Sequence, residues 1–126
     1  MILGLGIDLC RIERVDQLLT RYGARFTRRL FTEREVERCA RYPKNGEQFA
    51  GCIAVKEAAS KALGTGWRRG VHWKNFEVLH EPSGKPTLKI HGRAAALASQ
   101  MGVRNVNVSI THDAGIAAAV VIFEGE

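Results

Sequence analysis

Cysteine, proline and aromatic residues are all scarce in this chain, and no apolar stretch in it is long. Cys10, Cys39 and Cys52 are odd in number and lack C-x-x-C spacing, which suits neither a disulfide framework nor a zinc site and points to a reduced, cytoplasmic protein. The longest unbroken apolar run, Ile116–Phe123, falls well short of the roughly 18 residues of a membrane span. The N-terminal residues have no basic leader and carry Asp8 among their apolar positions, so a secretory signal is not expected. With 7% aromatic residues there is no strand of stacking rings for bases. Linkers, repeats and low-complexity tracts are also missing.

What is present is ordinary in amount and uneven in placement. The 126 residues, 45% apolar and 25% charged, fit one globular domain over 1–126 with a core of its own. The net charge is +6, which asks for an acidic partner: nucleic acid, an anionic membrane, a phosphorylated small molecule or an acidic protein. Residues 11–44 hold ten basic and five acidic side chains, and nine of those ten bases are arginine, whose planar fork suits carboxylate and phosphate.

Within that stretch Ile12, Val15, Leu18, Leu19, Tyr22 and Phe26 recur at helical spacing. If the helix continues through Gly23, Arg14, Arg21, Arg25 and Arg28 fall on one adjoining arc, either a solvated face or a binding face. A second helix is expected after Thr32, an N-cap with Glu35 as its capping-box partner. Its arginines Arg34, Arg38 and Arg41 read as ordinary surface, since Glu33, Glu35 and Glu37 can pair with them.

Elsewhere, Leu3, Leu5, Ile7 and Leu9 alternate with Gly4, Gly6 and Asp8, a strand over 2–9 whose second face has no side chain before Asp8. Two glycines weaken a strand unless a backbone or a ligand must come close. Gln48–Leu63 is an Ala-rich helix stopped by Gly64, Phe76–His80 and Thr87–His91 are strands, and Arg93–Met101 is a helix. Val106–Thr111 and Ile116–Phe123 form a hairpin about His112-Asp113-Ala114-Gly115. The order β-α-α-α-β-β-α-β-β points to an α+β fold with a largely antiparallel sheet.

Glu57 stands out in a helix otherwise nearly free of polar groups, where a carboxylate is costly unless paired with a cation or a metal. Lys61, four residues on, offers a plain surface pair. Asp8 offers another role: with Glu57 it supplies two hard oxygen ligands, the usual protein share of a Mg²⁺ site that also takes phosphate oxygens. Asp8 also fits an N-cap for the segment starting near Cys10. His112 reads first as a turn residue, and Gly64-Thr65-Gly66 as a helix cap first and a phosphate cradle second, the Walker pattern being absent.

Several of these segments, in order, resemble the holo-acyl-carrier-protein synthases, the short bacterial branch of the 4′-phosphopantetheinyl transferases. They are Gly4-Leu5-Gly6-Ile7-Asp8, Phe49-Ala50, Val55-Lys56-Glu57-Ala58-Ala59-Ser60-Lys61-Ala62-Leu63-Gly64-Thr65-Gly66, Gly84-Lys85-Pro86 and Ser109-Ile110-Thr111-His112. The resemblance implies a 4′-phosphopantetheinyl transferase-like fold, a largely antiparallel sheet packed against a long central helix. It implies transfer of phosphopantetheine from coenzyme A to a serine of apo acyl carrier protein in fatty acid biosynthesis, with adenosine 3′,5′-bisphosphate released. Asp8 and Glu57 match the family's ligands for Mg²⁺, with Mn²⁺ an alternative, and Lys61 matches its lysine for phosphate charge. Asp8, Glu57 and Lys61 thus form the expected catalytic set. Coenzyme A would meet Lys61, Gly64, Thr65, Gly66, Ser109, Thr111 and His112. The serine proton has two acceptors open to it, Glu57 and a water on the metal.

The resemblance further implies that Arg14 and Arg21, extended by Arg25 and Arg28, dock an acidic carrier helix, and that three copies assemble with sites between subunits. Cys52 stands where many relatives have an arginine that reaches the coenzyme A phosphates, leaving Arg68 or Arg69 as substitutes. The competing reading, a small basic nucleic-acid-binding module without catalysis, explains the arginines but leaves Asp8 and Glu57 without a purpose.

Overall fold

The computed structural model describes residues 1–126. Strand β1 (Ile2–Arg11) leads into helices α1 (Ile12–Tyr22), α2 (Ala24–Leu30), α3 (Glu33–Ala40) and α4 (Asn45–Leu63). A 3-10 turn over Trp73–Asn75 opens β2 (Phe76–His80), followed by β3 (Pro86–Ile90), α5 (Gly92–Met101), β4 (Asn105–Asp113) and β5 (Ile116–Glu124). The strands form two antiparallel sheets, one in the order β1-β5-β4 and the other the β2-β3 hairpin.

Helix α4 lies against the three-stranded sheet and is buried on nearly every side, from Phe49 through Leu63, apart from Glu57 and Lys61. That is why its sequence shows no polar stripe. Each large apolar side chain it buries stabilises the fold by roughly 1.5–3 kcal/mol. Gly64 ends it in the left-handed conformation, φ +83°.

The glycine face of β1 is the one that meets α4. A Cβ at Gly6 would overlap the carbonyl oxygen of Ala58, and one at Gly4 that of Ala62. Here the close partner of the side-chain-free face is a helix backbone. Leu5, Ile7 and Leu9 consequently face outward, each more than half exposed.

The expected long first helix is divided. Gly23, at φ +52° and ψ −126°, leaves helical geometry and separates α1 from α2, giving four helices before β2 where three were expected. The α3 capping box forms as read: Thr32 Oγ1 accepts from the Glu35 amide at 3.3 Å and Glu35 Oε1 accepts from the Thr32 amide at 2.8 Å. Asp8 caps nothing, because α1 starts at Ile12 behind Arg11. The second strand of the small hairpin runs Pro86–Ile90, His91 being taken as the N-cap of α5. The β4-β5 hairpin turns at Ala114 and Gly115, both at positive φ, as a two-residue turn between right-twisted strands requires.

Candidate active site

Close packing of β1 on α4 sets Asp8 beside the exposed turn of the helix. Lys61 Nζ donates to Asp8 Oδ1 at 2.9 Å and to the Ile7 carbonyl at 3.1 Å. The expected Glu57–Lys61 surface pair does not form; the lysine binds the strand instead. Glu57 faces the same cavity as Asp8. Burial raises its carboxyl above the ordinary range and the charge of Asp8 pushes the same way, while Lys61 and Arg14 pull back.

That cavity measures about 620 Å³ and is mostly apolar: Leu9, Val15, Leu18, Phe26, Ile53 and Trp73 line it beside Asp8, Glu57, Arg11 and Arg14. Cys10 is part of the wall. Burial and the two nearby carboxylates raise its thiol to about 11, so it stays neutral. Asp8 and Glu57 thus share a mostly apolar chamber, and Lys61 holds the first of them.

The other expected donor-binding residues are spread apart. In Gly64-Thr65-Gly66, all three amides donate to the Ser60 carbonyl, at 3.1, 3.3 and 3.1 Å, and Thr65 Oγ1 donates to the Gly66 carbonyl. The loop closes the helix as a cap, the first of the two roles read for it, with its three amides turned to Ser60. Ser109 and Thr111 point from β4 to the outer face, paired in register with Val120 and Ala118. His112 lies on the inner face near the start of α4: its Nε2 is 3.1 Å from the Glu47 carbonyl, and Gly51 leaves room for its ring. With Arg38, Gln48, Gly51, Cys52, His80, Gly84, Pro86 and Ile110 it lines a second, smaller cavity of about 130 Å³. One copy of the chain therefore does not bring His112, Ser109 or Thr111 to Asp8.

Arg14, Arg21, Arg25 and Arg28 are all exposed, and none is held in an ion pair. The break at Gly23 puts the first two on α1 and the last two on α2. The α3 arginines are freer than expected: only Arg41 finds a carboxylate, Glu37 at 3.2 Å, because Glu35 is turned inward. Arg38 instead bonds Gln48 Oε1 and the Tyr42 hydroxyl, each at 3.1 Å. Cys52 is buried against Cys39, whose hydrogen bond together with burial holds its thiol well up.

Lys56 escaped the reading of the sequence. It is wholly buried, and its ammonium donates to Glu35 Oε1 at 2.8 Å, the Trp73 carbonyl at 3.1 Å and the Phe76 carbonyl. The available signal was an apolar run, Ile53-Ala54-Val55, leading straight into a lysine.

The family model of the 4′-phosphopantetheinyl transferase superfamily matches residues 4–121. The chain belongs to that superfamily. Its similarity to the holo-acyl-carrier-protein synthase of Solibacter usitatus is 45% identity over 98% of this chain and 99% of the relative. The Vibrio cholerae synthase (strain O395) is also 45% identical, over 98% of each. Among solved structures, the Neisseria meningitidis synthase superposes with a TM-score of 0.88 at 30% identity, covering 98% of this chain and 99% of that one. The Helicobacter pylori synthase, solved in complex with coenzyme A, gives 0.84 at 28% identity over 95% and 99%. This confirms the α+β fold with antiparallel sheets as that of the superfamily. Nothing in these likenesses supports a nucleic-acid-binding module.

Proposed function

We propose that this chain, acting as one domain over 1–126, transfers 4′-phosphopantetheine from coenzyme A to a serine of apo acyl carrier protein, in the cytoplasm and for fatty acid biosynthesis. The observation that carries the reading is the Asp8–Lys61 pair beside Glu57 at the mouth of an apolar cavity, in a chain similar over its whole length to such synthases. The serine oxygen forms a bond to the β-phosphorus of the coenzyme A pyrophosphate. The bond from that phosphorus to the bridging oxygen breaks, and adenosine 3′,5′-bisphosphate leaves. Such a reaction needs positioning and charge balance more than covalent help.

Asp8 and Glu57 turn two hard oxygens to one cavity, where burial first and then the charge of Asp8 raise the Glu57 carboxyl, so the pair fits a divalent cation such as Mg²⁺ or Mn²⁺. When bound, that ion supplies charge neutralisation at the pyrophosphate. Glu57, raised toward neutrality, is suited to take the serine proton. Lys61 orients Asp8 and, being half exposed, keeps a third N–H for phosphate. The apolar chamber suits the pantetheine arm.

The remaining donor contacts fit an assembly of three copies. Leu5, Ile7 and Leu9 form an uncovered apolar face continuous with Ile122, Val120 and Ala118 of β5, and Ser109 and Thr111 border it. A neighbouring copy seated there would be met by those residues, so Ser109 and Thr111 act across a subunit boundary, while His112 lies on the inner face. Arg68 and Arg69 are exposed beyond the C-terminal end of α4, far along the helix from Cys52, whereas Arg38 lines the Cys52 cavity. Arg38 is thus the better substitute for a phosphate contact. The unpaired Arg14, Arg21, Arg25 and Arg28 suit an acidic carrier, where such charges mainly set encounter rate.

The deciding test is incubation of the purified protein with Mg²⁺, coenzyme A and apo acyl carrier protein, followed by intact-mass measurement. A phosphopantetheine mass gain supports the reading. No gain across several carriers and metals overturns it.

A further inference from the structure

Lys56 and Glu57 are neighbours in sequence yet turn to opposite purposes: Glu57 looks into the cavity, and Lys56 is sealed behind it. The three N–H groups of the Lys56 ammonium meet three acceptors, and two of these, the Trp73 and Phe76 carbonyls, bracket the 3-10 turn. The third, Glu35, also accepts from the Thr32 amide and, through Oε2, from the Val78 amide at 2.9 Å. One buried ion pair thus holds the stretch 73–78 against α4.

That stretch carries a cavity wall. Trp73 lines the chamber that Glu57 lines, and its ring stacks on Trp67 at 4.0 Å between centroids with 25° between planes. Trp67 belongs to the loop that follows the Gly64 cap. A buried pair of this kind adds little net stability, because desolvation offsets the attraction, and apolar replacements are often neutral. It does fix direction, since three acceptors in a set geometry cannot be satisfied by another arrangement of the turn.

We propose that Lys56 is a positioning residue of the transfer reaction, its ammonium holding the Trp73 wall in register with Glu57. The proposal rests on the transferase reading above. Lys56 touches neither substrate nor metal and acts through Trp73.

The test is a double-mutant cycle of Lys56→Met and Trp73→Ala, read by kcat, by KM for coenzyme A and by tryptophan emission, with activity expressed per folded molecule. The expected result for Lys56→Met is a kcat loss of about 10- to 100-fold, the scale of a small misplacement at a reacting centre. KM should move much less, and the emission of the two tryptophans should shift and become more quenchable. In the double variant the kcat loss should not exceed that of Trp73→Ala alone. Additive losses, or unchanged kcat and emission in folded Lys56→Met, overturn the proposal. Should Lys56→Met fail to fold, Glu35→Gln takes its place in the cycle; it removes the countercharge and keeps an oxygen and an amide at the site. If wild-type protein shows no transfer, the functional reading fails, and the emission and quenching measurements still decide whether Lys56 holds the Trp73 wall.

Discussion

Lys61 Nζ lies 2.9 Å from Asp8 Oδ1, joining residues far apart in sequence, while Glu57, on the same helix, stays unbridged. The two carboxylates therefore differ: one is oriented by a cation, the other is left to titrate. Asp8→Asn and Glu57→Gln should each lower kcat/KM by about 100-fold or more with circular dichroism unchanged. Asp8→Asn should also raise the Mg²⁺ concentration needed for half-maximal rate. Near-normal rates would remove either residue from the site.

The raised carboxyl of Glu57 fixes the sign of two pH effects. A group that must be ionised gives a rate limb that rises with pH; at limiting Mg²⁺ the limb should lie above the ordinary carboxylate range of about 4.3, and it should fall as Mg²⁺ fills the site, because a bound cation favours the ionised form. Asp8→Asn should move it toward lower pH by removing a repelling charge. For stability, the protonated form is the one the fold favours. Its contribution is complete below the unfolded pKa and is lost as pH rises through the folded value. Without metal, Glu57→Gln should therefore melt higher than wild type near pH 7, the gap closing toward pH 4; calorimetry across that range measures it.

The approach of β1 to α4 has a sharp steric test. Gly6→Ala should destabilise the fold by about 1–3 kcal/mol or more, because the new methyl overlaps a helix carbonyl that cannot move alone. Gly64→Ala meets nothing within 4 Å and should cost about 1 kcal/mol, from its left-handed backbone only. Urea titration of both gives the comparison.

Much of this was legible beforehand, and the failures share a cause. The capping box at Thr32, the Gly64 stop and the hairpin at Ala114-Gly115 are local, decided by residues within a few positions of one another. Asp8 and Glu57 could be paired because unusual residue types stood in apolar surroundings. Lys56 with Glu35 was missed, since both had adequate local readings, one in a motif and one as a cap, and only packing shows that Glu35 serves two masters. The outward turn of Ser109 and Thr111 is likewise a matter of tertiary direction.

Charge reversal tests the arginine face. Arg14→Glu with Arg21→Glu should raise KM for the carrier about tenfold or more and flatten its salt dependence, a larger change than in KM for coenzyme A. Arg25→Glu with Arg28→Glu, beyond the Gly23 break, should do less. Steady-state assays at two ionic strengths distinguish them.

The uncovered sheet face gives an assembly test. Ile7→Asp places a charge among Leu5, Leu9 and Val120 without touching the helix side of β1, and should yield monomers with little transferase activity. Light scattering after gel filtration reads the mass of both proteins; a variant of the same mass as wild type would refute the placement of the interface.

Strand β1 has one strand neighbour, β5, and is hydrogen-bonded along its length to residues 116–124. Asp8 is carried by that strand, so its seat beside Lys61 is backed by residues from the other end of the sequence. Without those residues β1 has no strand companion. Activity during refolding should therefore appear as the last property regained, later than helix content, because the site is assembled by the longest loop the fold has to close.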